Sequence, residues 1–200
     1  MAKSPNLSEE VPCISPKASI RKNTRNGSHC ENYHAYTQGD KTAHTYVKKS
    51  FSLISDDDLN RYKKEYDEIK LRLGEIVPNA TYIRAKVGQT LGALVLAEPI
   101  KITTDMLSEE NKPYILEVLK SNPQTRQQLE DLLDAFDEWL AKGKVLDLSD
   151  NGEENVVLDK NQNLHYIDSF DVFLNSRYRS LIESSEQNAK KLRSILSECQ

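Results

Sequence analysis

At 200 residues the chain can hold one domain with a real core, or two small lobes sharing a cleft. Its net charge of −4 and pI near 5.7 give no electrostatic footprint for wrapping a nucleic-acid backbone, so no nucleic-acid partner is expected. No apolar run reaches the roughly 18 residues of a bilayer span, and MAKSPNLSEEVPC lacks the apolar core of a secretory signal, so no membrane attachment and a cytoplasmic location are expected. Cys13, Cys30 and Cys199 are odd in number and widely spaced, which is not a disulfide framework. His29 and His34 flank Cys30, but the second cluster that a four-ligand zinc site needs is missing.

Residues 1–28 are rich in Ser, Asn, Pro and Lys without helical or strand periodicity and are expected to be a flexible tail, with Lys17, Arg21, Lys22 and Arg25 solvated. Residues 29–100 form a first region. NYHAYTQGDKTAHTYVKKSF holds two β-rich runs around Gly39-Asp40, a two-residue hairpin signal. In SDDDLNRYKKEYDEIKLRLGEI, Ser55 and Asp58 form a capping-box pattern, and Leu59, Tyr62, Tyr66, Ile69 and Leu73 recur at helical spacing. Glu65 borders that stripe, and Glu68 is expected to face solvent. ATYIRAKVG and TLGALVLAEPIKI then predict two strands, broken near Gly88 and closed by Pro99.

Residues 101–200 differ in kind. A charged helix is expected from about Met106 to Lys120. Asn122 and Pro123 then open a second helix whose Leu129, Leu132, Leu133, Phe136 and Leu140 form a stripe, stopped by Gly143. The short strand KVLDL, an acidic hairpin and a last helix with Tyr178, Leu181, Ala189, Leu192 and Leu196 on one face complete the chain.

The acidic hairpin is where chemistry is expected. NVVLD and LHYID flank the turn KNQN, and pairing Asp159 with Leu164 would place Asn155 opposite Asp168. Directly opposed Cβ atoms lie about 4.5–5.5 Å apart, so an amide oxygen and a carboxylate could converge on one hard cation such as Mg²⁺. Asp147 and Asp150, just before, offer a carboxylate that could accept a proton or orient a hydroxyl. Acidic and amide residues are equally at home at the ends of a solvated hairpin.

The order of elements, with DNGEENVVLD followed by LHYID, resembles the protein-kinase-like fold, which includes protein kinases and the aminoglycoside and choline phosphotransferases. The resemblance implies a two-lobed α+β fold with a small antiparallel-sheet N-lobe over residues 29–100 and a truncated, mainly helical C-lobe over 101–200. It implies Mg²⁺ on Asn155 and Asp168, ATP as cofactor, and a catalytic-loop Asp at Asp147 by local setting or Asp150 by its spacing from Asn155. Lys48 or Lys49 of TYVKKSF would hold phosphates, with Lys48 favoured and Glu65 as its helix partner. The LAEPIKI linker with Glu98 would stand where the family reads adenine.

The sequence also departs from the family. YTQGDKTAHTY has a single glycine where a glycine-rich loop would wrap the phosphates, and Ser169-Phe170 follows Asp168 where protein kinases have Phe-Gly. Only about thirty residues follow Asp168, too few for an activation segment and a protein-substrate lobe, so a conventional protein kinase is not expected. Three functions remain: a minimal phosphotransferase using MgATP on a small molecule or compact partner, a catalytically inactive kinase-like (pseudokinase) binding module, or an unrelated α+β interaction protein.

Overall fold

The computed structural model describes residues 21–22, 30–36, 44–50, 56–87, 90–97, 100–149, 155–167, 173–174 and 179–199. The chain divides into two compact units, one of residues 1–63 and 80–99, the other of 64–79 and 100–200. Residues 64–79, placed in the first region by sequence, therefore group with the second unit.

The first unit is built on a five-stranded antiparallel sheet. Its strands are β1 (Arg21–Lys22), β2 (Cys30–Tyr36), β3 (His44–Ser50), β4 (Ala80–Val87) and β5 (Thr90–Ala97), in the order β1-β2-β3-β5-β4. The β-rich runs around Gly39-Asp40 become β2 and β3, joined in register from Cys30↔Ser50 to Tyr36↔His44; the turn itself lies outside the described residues. β4 and β5 pair up to Val87↔Thr90, on either side of Gly88. β1 falls inside the segment expected to be a flexible tail. It pairs Arg21 with His34 and Lys22 with Tyr33 through backbone groups at a sheet edge, a pairing that needs no apolar periodicity and leaves no trace in the sequence pattern.

The helix α1 (Asp56–Leu73) carries Asp56, Asp57 and Asp58 in its first turn and Lys70 and Arg72 in its last, the charge order its macrodipole favours. Tyr66, Ile69 and Leu73 of the expected stripe are buried. Beyond it a 3-10 turn, Gly74–Ile76, buries Ile76, and Val77 after it is buried too. This end of the helix is tied back by Tyr66 Oη donating to Pro78 O at 2.9 Å and Lys70 Nζ to Val77 O at 2.5 Å.

In the second unit, β6 (Ile102–Asp105), β8 (Val156–Asp159) and β9 (Leu164–Tyr166) form an antiparallel sheet in the order β6-β8-β9. β7 (Val145–Leu146) pairs with β10 (Phe173–Leu174). The helices are α2 (Lys112–Ser121), α3 (Pro123–Leu140) and α4 (Arg179–Ser197). The helix expected from Met106 starts later. Met106 N is drawn to Val156 O at 3.0 Å and Leu107 N to the Asp105 carboxylate at 2.9 Å, so these residues close a turn before the 3-10 segment Glu109–Asn111.

α3 begins and ends as its sequence dictates. Asn122 Oδ1 accepts from Thr125 N at 3.2 Å with Pro123 at the first helical position. At its end Gly143 takes φ +74°, its N–H reaches Leu140 O at 3.0 Å, and Lys144 N reaches Trp139 O at 2.9 Å, the paired closure that favours glycine there. The inward stripe contains Leu129, Leu132, Leu133 and Phe136 as expected, but Leu140 is 37% exposed and Trp139 takes the buried place in its stead.

Candidate functional site

The segment after β7 and the residue before β8 meet in a buried polar knot. Asp147, Ser149 and Asn155 are 9%, 3% and 4% exposed, so nearly all of their polar atoms must find partners within the protein. Asn155 supplies two of these contacts: its Nδ2 donates to Asp147 O and to Ser149 O, both at 3.2 Å. An amide that uses both N–H bonds on two fixed carbonyls has a fixed plane, which leaves Oδ1 as the only atom it could give to a cation. The Asp147 carboxylate folds back on its own loop. Its Oδ1 accepts from Ser149 N at 2.9 Å and Ser149 Oγ at 2.5 Å, a side-chain turn that pins residues 147–149.

α4 holds the same loop from the other side. Ser185 Oγ accepts from Leu148 N at 3.1 Å and sits 3.5 Å from Asp147 Oδ1, and Asn188 Nδ2 donates to Leu148 O at 2.8 Å. Leu148, Ser185 and Asn188 are all buried. Ser185 and Asn188 escape a sequence search for functional residues because they interrupt an apolar helix face. Their only signal is that interruption, between Leu181 and Ala189.

The hairpin that follows differs in register from the sequence expectation. β8 and β9 pair Val156↔Tyr166, Val157↔His165 and Leu158↔Leu164, one residue away from the pairing that would set Asn155 against Asp168. Asn155 instead faces Ile167, whose N–H reaches Asn155 O at 2.9 Å. The cause lies in the turn. The Asp159 carboxylate accepts from Asn161 N at 2.8 Å, Asn163 N at 2.9 Å and Asn163 Nδ2 at 3.3 Å, and lies 3.3 Å from His165 Nε2. It thereby closes a tighter loop in which Asp159 N meets Asn163 O and Gln162 adopts φ +67°. Burial raises the Asp159 pKa, but these bonds outweigh it and hold the carboxyl below its ordinary 3.8. Thr125 Oγ1 donates to Gln162 O at 2.6 Å and Gln128 Oε1 accepts from Leu164 N at 2.9 Å, so α3 fixes the turn.

Of the residues singled out by sequence, the structure brings Asp147 and Asn155 together. Asp150, Glu98 and Asp168 lie outside the described residues. Lys48 stands on β3 between Asn32 and Val95, and Lys49 between Glu31 and Leu94. Glu65 is half-buried on α1. Glu68, expected to face solvent, accepts from Trp139 Nε1 at 3.1 Å and pairs with Lys144 Nζ at 3.0 Å. Burial raises its pKa, and the bonds from Lys144 and Trp139 overcome that and set it below the ordinary 4.5. Among the described residues no group of three His, Cys, Asp or Glu side chains could hold a metal ion, and no helix is long and apolar enough to cross a membrane.

The described elements thus define an α+β protein with a small three-stranded antiparallel sheet, a mainly helical second unit and a buried Asp-Ser-Asn loop. No protein-family model matches the chain, and no curated protein matches it in sequence. Among solved structures it is similar to a pseudokinase in its apo form, with a TM-score of 0.47 and 12% identity over 91% of this chain and 71% of that one.

Proposed function

We propose that the chain is a divergent kinase-like phosphotransferase that uses MgATP on a small molecule or compact partner. The supporting observation is that one buried amide, Asn155, holds the backbone of Asp147 and Ser149 and is itself fixed by doing so. A carboxylate and an amide oxygen brought together by buried hydrogen bonds suit phosphoryl transfer, where catalysis is mostly positioning and charge stabilisation. Asp147 would accept the proton of the acceptor hydroxyl, whose oxygen would bond to the γ-phosphorus as the bond to the bridging oxygen breaks and ADP leaves. Asn155 Oδ1 and Asp168 would hold Mg²⁺, which would supply screening of the phosphate charge. By the resemblance, Lys48 or its neighbour Lys49 would hold the phosphates, Glu65 would be the helix partner of that lysine, and Glu98 would belong to the linker that reads the base.

The assignment is tested by ADP release from MgATP and phosphate incorporation into the protein, in the wild type and in Asp147→Asn, which can still accept from Ser149. A general base contributes about 10²–10⁴ in rate, so Asp147→Asn should lose at least about a hundredfold of the turnover while keeping the fold. Wild-type protein that releases no ADP and is not stabilised by MgATP would overturn the assignment.

A second function is favoured by one observation: Asp147 Oδ1 accepts from Ser149 N and Oγ and lies within reach of Ser185 Oγ. That occupation accounts for the carboxylate without chemistry, as in a kinase-like binding module that has lost catalysis. In that case Asp147→Asn changes stability and there is no turnover to lose.

A further inference from the structure

We infer that α4 is the positioning element of the 147–149 loop, acting through Ser185 and Asn188, which clamp the backbone of Leu148 at its N–H and at its carbonyl. The hydroxyl of Ser185 takes the Leu148 N–H and the amide of Asn188 takes the Leu148 carbonyl, at 3.1 and 2.8 Å. The two side chains stand three residues apart and so share one face of the helix. The N–H lies in the peptide between Asp147 and Leu148 and the carbonyl in the peptide between Leu148 and Ser149, so one helix holds both peptide units that flank Leu148. The residue before it is Asp147 and the residue after it is Ser149, so the clamp sets the position of both.

The composition of α4 shows what the clamp displaces. Its inward face otherwise carries Ala189, Leu192 and Ile195, all buried, and Ser185 and Asn188 are 0% and 6% exposed on the same side. Serine and asparagine are weak helix formers, and a buried polar side chain is costly unless it is bonded. Apolar residues at 185 and 188 would extend the stripe and pack the helix without that cost, but could not grip a peptide. The hydroxyl of Ser185 also reaches towards Asp147 Oδ1, so the helix touches the carboxylate as well as the backbone that carries it. Ser185 and Asn188 are thus positioning residues. The consequence for ligand binding rests on the phosphotransferase assignment above; the clamp itself does not.

The experiment compares wild type, Ser185→Ala, Asn188→Leu and Ser185→Thr in the full chain, by amide hydrogen exchange and by thermal unfolding with and without MgATP. Ser185→Ala and Asn188→Leu should speed exchange at Leu148 and Ser149 at least tenfold, with amides of Leu132 and Leu192 unchanged and the MgATP-induced rise in melting temperature reduced. Ser185→Thr, which keeps the hydroxyl, should restore slow exchange at Leu148. Unchanged exchange at Leu148 in both deletion variants would overturn the inference. So would an equal rise at every amide, since the two residues would then serve only global stability. If wild type shows no MgATP-induced shift, the phosphotransferase assignment fails alone, and the exchange pattern still decides whether α4 positions the loop.

Discussion

Replacing Asn155 tests the geometry of the loop most sharply, because one side chain makes two of its bonds. Asn155→Ala removes the donations to Asp147 O and Ser149 O and opens a small void at a position only 4% exposed. Two neutral hydrogen bonds are worth about 1 kcal/mol each net, and buried carbonyls left without donors raise the cost, so the expected loss is about 2–4 kcal/mol. With a urea m-value of about 2 kcal/mol/M this lowers the unfolding midpoint by about 1–2 M. The single tryptophan, Trp139, belongs to the same unit and is 2% exposed, so its fluorescence reports the transition. Asn155→Asp makes the decisive comparison. A carboxylate cannot donate, and it would face two carbonyl oxygens beside Asp147, so it should destabilise at least as much as alanine. A midpoint for Asn155→Asp within about 0.2 M of wild type would refute the donor geometry.

Acid should weaken the second unit through two carboxylates. Glu68 and Asp159 both have folded pKa values below their ordinary 4.5 and 3.8, so each contributes stability that is complete above those values and is lost as pH falls through them. The urea midpoint followed by Trp139 should therefore drop steadily below about pH 4.5, and Glu68→Gln should flatten the upper part of that drop. At neutral pH the same substitution should cost under about 1 kcal/mol, since the Glu68–Lys144 pair is well exposed. Asp159→Ala removes the acceptor for Asn161 N and Asn163 N, and bonds to charged groups are worth about 1.5–3 kcal/mol. A loss of that order in the unfolding experiment is expected, with a neutral result counting against the turn geometry.

The regular elements were largely legible because their signals are local. Asn122, Pro123 and Gly143 mark the ends of α3 through caps and a left-handed residue that chemistry restricts to few side chains, and the α1 stripe predicts Tyr66, Ile69 and Leu73 as core. The hairpin register was not legible, because it hangs on which atoms the Asp159 carboxylate chooses in the turn. A shift of one residue there moves Asn155 from Asp168 to Ile167. Asp147 and Asn155 could be named from their setting, whereas the partners that hold them could not. Ser149 is adjacent in sequence but looks like any loop serine, and Ser185 and Asn188 reach the loop from 38 and 40 residues away. Long-range polar contacts of this kind carry no periodicity, so only the folded structure displays them.

Whether the residues around Asp147 and Asn155 serve a nucleotide site is decided by thermal unfolding of wild type and Asp168→Ala with and without MgATP. A ligand that binds only the folded state stabilises it by about 2.7 kcal/mol at a hundredfold excess over its Kd, or roughly 5–10 °C in a chain of this size. A nucleotide site that uses Asp168 requires that rise for the wild type and its absence in Asp168→Ala at the same concentrations. A wild type whose melting temperature does not respond to MgATP at millimolar concentration would contradict it.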